Sequence, residues 1–244
     1  MRLCRALERM KSASNISTAT FPWVVGSFGR LQDLRECTEA HAIAACDMLE
    51  IRLDVLARDG WEPTQTPWSH LKNLPLLFTA RRQSEGGVLP LDSADREEMI
   101  RAVIDDAAAV DLEIASAEEM RGTLALLREK NIPWVASSHN FEKLPDLECW
   151  REWRNFAHAH GATVAKFAAM LNDASELDLL ENFQREPATG AVATMGMGSL
   201  APLSRVRCAL AGSRLNYGYI GQAPTAPGQW LAEELRAAIQ RAKQ

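Results

Sequence analysis

Eight apolar runs of strand length, separated by stretches of helical spacing, constrain this sequence more than any other feature. The runs are WVVGS (23–27), DMLEIRLD (47–54), LLFTA (76–80), VDLEI (110–114), PWVASS (133–138), TVAKFAA (163–169), AVATMG (191–196) and LNYGYI (215–220). Between them, Asp33 to Ala45 and Ala94 to Ala108 carry apolar residues at helical spacing, and Leu124 to Lys130 closes a third such stretch. Ser116, three residues before Glu119, is a capping-box signature that opens that third helix. Leu147 to His160, Glu176 to Arg185, Leu203 to Ala211 and Trp230 to Ala242 supply the later helices. The Pro-rich segment after the second run reads as loop with a short helix at most. Strands that alternate with helices, with no linker or low-complexity break, predict an α/β fold: a single (β/α)8 TIM barrel. An open doubly wound sheet has the same element order. Against it, VGSFGR after the first strand has two glycines at the wrong spacing for a phosphate-binding loop.

The chain's 244 residues suit one such barrel, and its 47% apolar and 24% charged side chains are those of a globular protein. A net charge of −5 supplies no basic surface, which argues against nucleic acid or an anionic membrane as partner. A few arginines in a pocket would still serve an anionic substrate. Cys4, Cys37, Cys46, Cys149 and Cys208 are odd in number and contain no C-x-x-C pair. Neither a disulfide framework nor a zinc site is indicated, and a reducing cytoplasm is expected. No apolar run has the length of a transmembrane helix. Residues 1–20 are basic and rich in Ser, Thr and Ala, without the apolar core of a secretory signal. They are expected to form a poorly ordered tail ahead of a catalytic barrel at 21–244.

Chemistry in a β/α barrel sits at the C-terminal strand ends and in the loops that follow. In the second strand a period of two puts Glu50, Arg52 and Asp54 on one face, with Leu49, Ile51 and Leu53 on the other. The apolar face suits packing on helices; the charged face suits a salt-bridge cluster, a binding site, or both. The third strand runs into Arg81-Arg82-Gln83-Ser84-Glu85-Gly86-Gly87, where paired glycines allow a sharp turn just after an acid. The fifth ends in Ser137-Ser138-His139, and a histidine there is well placed to move protons near neutral pH. A hydrogen-bonded structural histidine is the plainer reading. His41, His70, His158 and His160 fall on helices or a loop and read as solvated.

Lys166 stands inside the apolar sixth strand. Only six of the 27 basic residues are lysines, and the others lie mostly in loops and at helix ends. Burying an ammonium is costly unless it is paired or loses its proton. Desolvation and nearby cations lower a lysine pKa and yield the free amine that a Schiff base needs. The alternative is a side chain that snorkels to the barrel rim. Further on, Met195 and Met197 end the seventh strand as core filler or pocket wall. Arg205 lies near a helix start, where the dipole disfavours cations and a bound carboxylate would offset that. Residues 223–229 form a Pro/Gly loop.

In order along the chain stand E-x-R-x-D at Glu50 to Asp54, T-x-R with E-G-G at Thr79 to Gly87, and S-x-H-x-F at Ser137 to Phe141. Lys166, M-x-M at Met195 to Met197, S-R at Ser204-Arg205 and A-P-G-Q at Ala226 to Gln229 follow. This order and spacing, from about Pro22 to Gln229, resembles the type I 3-dehydroquinate dehydratases, lyases of the shikimate pathway. The resemblance implies syn elimination of water from 3-dehydroquinate to give 3-dehydroshikimate through an imine on Lys166. It makes His139 the general acid/base, Glu85 the acid that orients it, and Arg205 the clamp for the substrate carboxylate, with Thr225 and Gln229 beside it. Glu50, Arg52 and Arg81 would hold ring hydroxyls, while Met195, Met197 and Tyr217 line the pocket. It implies no metal and no organic cofactor, a small-molecule substrate as partner, and a homodimer.

The chemistry is self-consistent. A protonated imine acidifies the neighbouring carbon far better than a ketone, so one lysine and one adjustable base suffice. The planar fork of arginine suits a carboxylate. Three positions depart from the family: Ile51 where an aromatic residue is frequent, Thr225 for serine, and Tyr217 where phenylalanine is common. Two other readings share parts of the pattern. A class I aldolase-like barrel would need Lys166 but not the His139, Glu85 and Arg205 set, and a regulatory barrel would bind the ligand without turnover.

Overall fold

The computed structural model describes residues 22–71 and 73–243. Its strands are β1 (Trp23–Phe28), β2 (Met48–Arg52), β3 (Leu76–Thr79), β4 (Ala109–Glu113), β5 (Trp134–Asn140), β6 (Val164–Met170), β7 (Ala191–Met197) and β8 (Leu215–Ile220). All eight expected runs are strands, and they pair in parallel in the order β7-β6-β5-β4-β3-β2-β1-β8. The helices are α1 (Leu31–Glu36), α2 (Glu39–Ala45), α3 (Leu53–Arg58), α4 (Ser93–Val103), α5 (Arg121–Glu129), α6 (Leu147–Ala159), α7 (Ala174–Arg185), α8 (Ala201–Leu210) and α9 (Ala232–Ala242). The result is a nearly closed (β/α)8 barrel. At the seam, Arg214 N–H donates to Val192 O at 2.9 Å and Thr194 N–H to Ser213 Oγ at 3.1 Å.

The strand period of two sorts the core into two shells. Leu49, Ile51, Phe78, Val110, Leu112 and Phe167 point outward and pack under the helices. Inside the barrel, Val25, Met48, Leu77, Ala109, Val135, Val164 and Leu215 form an apolar floor. Each buried Val, Leu or Met among them stabilises the fold by about 1.5–3 kcal/mol. Above this floor the inward positions turn polar, which is where strand alternation and function meet.

Local expectations differ from the structure in four places. The helix expected over Asp33 to Ala45 is two, because Thr38 accepts from His41 N–H at 3.2 Å and caps a new start after Cys37. The capping box at Ser116 does not form. Arg96 donates to the Ser116 hydroxyl at 3.0 Å, and α5 begins only at Arg121. A buried tertiary bond outweighs a local cap worth about 1 kcal/mol. The second strand ends at Arg52 rather than Asp54; α3 starts at once and takes Asp54 off the inward face. His158 is half-buried, with Nδ1 3.2 Å from Ala162 O, whereas His41, His70 and His160 are exposed. Residues 1–20, expected to be a tail, and Cys4 lie outside the described residues. Among the described residues the four cysteines are free, and no helix is long and apolar enough to cross a membrane.

Candidate active site

The inward residues above the floor form a tier of committed hydrogen bonds. Glu50 on β2 accepts from Ser27 Oγ at 2.5 Å and Thr79 Oγ1 at 3.0 Å. Asp111 on β4 accepts from Ser137 Oγ at 2.6 Å and pairs with Arg81 at 3.0 Å. Lys166 on β6 donates to the other Asp111 oxygen at 3.0 Å, with its side chain 4% exposed. Arg81 also donates to Glu113 at 2.8 Å, and Arg96 from α4 pairs with the same carboxylate. Asp111, Glu113, Arg81, Arg96 and Lys166 therefore leave water together, which is tolerable because each is paired and hydrogen-bonded.

Electrostatics follow from this packing. Burial disfavours a charged Asp111, yet Arg81 and Lys166 hold it at about 2, so it stays ionised. Burial depresses the pKa of Lys166; Asp111 opposes that shift and Arg81 reinforces it. The lysine is thus anchored as a cation but loses its proton more readily than in water.

His139 lies near the end of β5, where the chain rises toward the mouth. Its backbone N–H donates to Glu85 Oε2 at 2.8 Å, and Nδ1 lies 3.1 Å from the same oxygen. One carboxylate oxygen thus fixes both the backbone and the ring, and an Nδ1–H donated to it leaves Nε2 as the free nitrogen. Burial pushes Glu85 up to about 7 and, with Arg81, Lys166 and Arg52 nearby, pushes His139 well below its usual value. Glu85 ends a 3-10 turn that continues into Gly86 at φ +90°, where a Cβ would sit 2.6 Å from the Phe141 ring. Glycine is required there on both counts.

Arg205 crosses the barrel seam. It is buried, its Nη1 donates to Tyr217 O at 2.9 Å and contacts Met195 Sδ at 3.5 Å, and its Nε has no partner. Burial without a counter-charge lowers its pKa to about 10. Arg205 is the fifth residue of α8, so the expected conflict with a helix start does not apply. The unusual feature is a desolvated cation whose hydrogen bonds include no carboxylate. Over the mouth, Thr225 donates to Gln229 Oε1 from its backbone N–H at 2.8 Å and its hydroxyl at 2.9 Å. That loop is tied to the barrel by Gln222 N–H to Asp33 at 3.1 Å and Trp230 Nε1 to Pro202 O at 3.0 Å.

All twelve side chains singled out in the sequence line one cavity at the C-terminal strand ends. Arg52 spends Nε and Nη2 on Asp54, at 2.9 and 2.7 Å, and also reaches Gly86 O at 3.0 Å. Arg52 and Arg81 are thus ion-paired as well as part of the pocket wall, whereas Glu50 is held there by the hydroxyls of Ser27 and Thr79. A larger groove of about 540 Å³ lies on the outer flank beside Asp33 and Tyr219. It contains neither Lys166 nor His139, and an open groove between helices needs no catalytic explanation, so the smaller cavity is the candidate. Asp111 and Glu113 escaped notice in the sequence. Their alternation in VDLEI carries the same signal as Glu50 and Arg52, inside a run that otherwise reads as ordinary strand.

A barrel whose mouth gathers a buried lysine, a carboxylate-backed histidine and a lone arginine has the construction of a β/α-barrel enzyme. The sequence model of the type I 3-dehydroquinase family matches residues 26–244. A 3-dehydroquinate dehydratase of Methanococcoides burtonii is 30% identical over 213 residues, covering 86% of this chain and 90% of the relative. One from Shouchella clausii is 31% identical over 217 residues, covering 82% and 84%. The crystal structure of 3-dehydroquinate dehydratase from Geobacillus kaustophilus superposes with a TM-score of 0.82 at 26% identity, covering 93% of each chain. The chain belongs to the type I 3-dehydroquinase family, and its family and fold support dehydration of 3-dehydroquinate as its reaction.

Proposed function

We propose that this chain removes water from 3-dehydroquinate by syn elimination through an imine on Lys166, with His139 as general acid and base. The observation that carries the reading is a buried lysine of lowered pKa in the same cavity as His139 and its Glu85 partner. The unprotonated Lys166 amine adds to the ketone carbon, and loss of water forms the C=N bond. The protonated imine draws electrons from the adjacent carbon, and His139 Nε2 takes its proton. The resulting enamine expels the neighbouring hydroxyl, which receives that proton from His139 and leaves as water. Hydrolysis of the imine then frees the product and Lys166. Asp111 stays ionised throughout and steadies the cationic nitrogen.

The direct test is borohydride reduction with and without 3-dehydroquinate, followed by peptide mapping. A stable adduct on Lys166 that requires substrate is expected. No adduct, together with no rise in enone absorbance, would sink the reading.

Arg205 supplies a separate expectation as the carboxylate clamp. Removing one partner of a desolvated charge pair costs about 2–5 kcal/mol, so Arg205→Met should raise KM about thirtyfold or more. In the unliganded protein Arg205 has no carboxylate partner to strand. The variant gives up the buried charge together with the Nη1 bond to Tyr217 O, so its melting temperature should stay within about 5 °C of native. Unchanged KM would remove Arg205 from substrate binding.

A further inference from the structure

Tyr217 Oη is buried and has no hydrogen-bond partner. An unpaired buried hydroxyl costs stability that a phenylalanine would avoid, so its presence asks for a partner that arrives with substrate. The residue has little freedom to find one elsewhere. Its backbone pairs with Val25 on β1, its carbonyl accepts from Arg205 at 2.9 Å, and its ring centroid lies 4.1 Å from Lys166 Nζ.

The donors around it are otherwise spent. Ser27 and Thr79 donate to Glu50, Ser137 and Lys166 to Asp111, and Arg81 to Glu113 and Ser137 while pairing with Asp111. The uncommitted Nε of Arg205 is assigned above to the substrate carboxylate. An oxygen that gains negative charge beside Lys166 would meet these acceptors and committed donors, and the phenol whose ring lies against the amine is a donor with no partner of its own.

We propose that Tyr217 Oη donates a hydrogen bond to the oxygen of the carbonyl that Lys166 attacks. This role rests on the Schiff-base reading above. As the N–C bond forms, the C=O π pair moves onto oxygen, and the proton on the new ammonium nitrogen passes to that oxygen to give a carbinolamine. The oxygen then takes a second proton from solvent, balancing the one that Lys166 released to solvent on becoming a free amine, and departs as water while the nitrogen lone pair completes the C=N bond. Tyr217 stabilises the charged oxygen without giving up its own proton. Burial, together with the charges of Asp111 and Glu50, keeps the phenol protonated. The reach is reasonable: the adduct oxygen stands two bonds from Nζ, and Oη stands one bond beyond the ring that Nζ overlies.

Tyr217→Phe removes one oxygen and keeps the ring against Lys166. Two readouts separate its roles: the rate at which borohydride-trapped adduct appears on Lys166 after rapid mixing with 3-dehydroquinate, and the melting temperature without ligand. Loss of a preorganised donor to a developing oxyanion should slow adduct formation about 10- to 100-fold, with kcat/KM falling in parallel and melting unchanged or raised. Adduct formation within twofold of native overturns the proposal. So does a lowered melting temperature, which would reveal a structural partner for the hydroxyl. Absence of adduct in the native chain defeats the Schiff-base reading itself, whereas an adduct formed equally fast in both defeats only the hydroxyl's role.

Discussion

Lys166→Met should abolish dehydration, with kcat reduced about 10⁴-fold or more, the scale at which loss of a covalent nucleophile registers. Methionine keeps much of the side-chain volume and removes only the amine and its charge, so the loss reports chemistry rather than collapse. The electrostatic consequence is contained. Asp111 loses the lysine but keeps Arg81 at 3.0 Å and the Ser137 hydroxyl at 2.6 Å, so no carboxylate is left stranded. Circular dichroism and thermal melting should show a folded barrel, while the enone product fails to appear in ultraviolet absorbance. A variant that retains activity within about tenfold of native would show that no imine on Lys166 lies on the path.

His139→Ala should separate the two halves of the reaction. Lys166 and its partners are untouched, so substrate-dependent adduct still forms on borohydride treatment. Turnover falls about 10²- to 10⁴-fold, the usual contribution of a positioned acid/base. The pH profile adds a second signature. Glu85 Oε2 lies 3.1 Å from His139 Nδ1, so the charge of the carboxylate bears directly on the ring. Burial places the loss of the proton at Glu85 near 7, while His139 is held neutral. Below that point Glu85 carries the proton and has no negative charge to fix the Nδ1–H tautomer. Above it the carboxylate accepts that hydrogen and leaves Nε2 open. Activity should therefore rise as pH climbs through about 7, and His139→Ala should flatten that limb. Native-like turnover in the variant would assign the proton transfers to another group.

Much of this architecture was legible in the residues, for identifiable reasons. Strand alternation is local, so the split of Leu49 and Ile51 from Glu50 and Arg52 survives intact in the folded barrel. Lys166 and His139 stood out because charge at a strand position violates the apolar pattern. Asp54 was misplaced because the helical start at Leu53 breaks the period, and no short-range signal marks where a strand stops. Ser116 was misread as a cap because its partner, Arg96, lies 20 residues away in sequence. Asp111 and Glu113 were missed although they neutralise the cations around the lysine. Their importance lies in Arg81, Arg96 and Lys166, each brought in from a different element. Arg205 was noticed for a helix-dipole reason that the structure does not support, while its real peculiarity, burial across the seam without a carboxylate, is tertiary.

The apolar floor beneath the polar tier gives the barrel a single doorway. Substrate, product and the expelled water share one route, and the loop bearing Thr225 and Gln229 lies across it. If the elimination proposed above runs in this cavity, the water that it releases must leave by the way the substrate came in, past Thr225 and Gln229, because Val25, Met48, Leu77, Val135 and Val164 fill the barrel beneath.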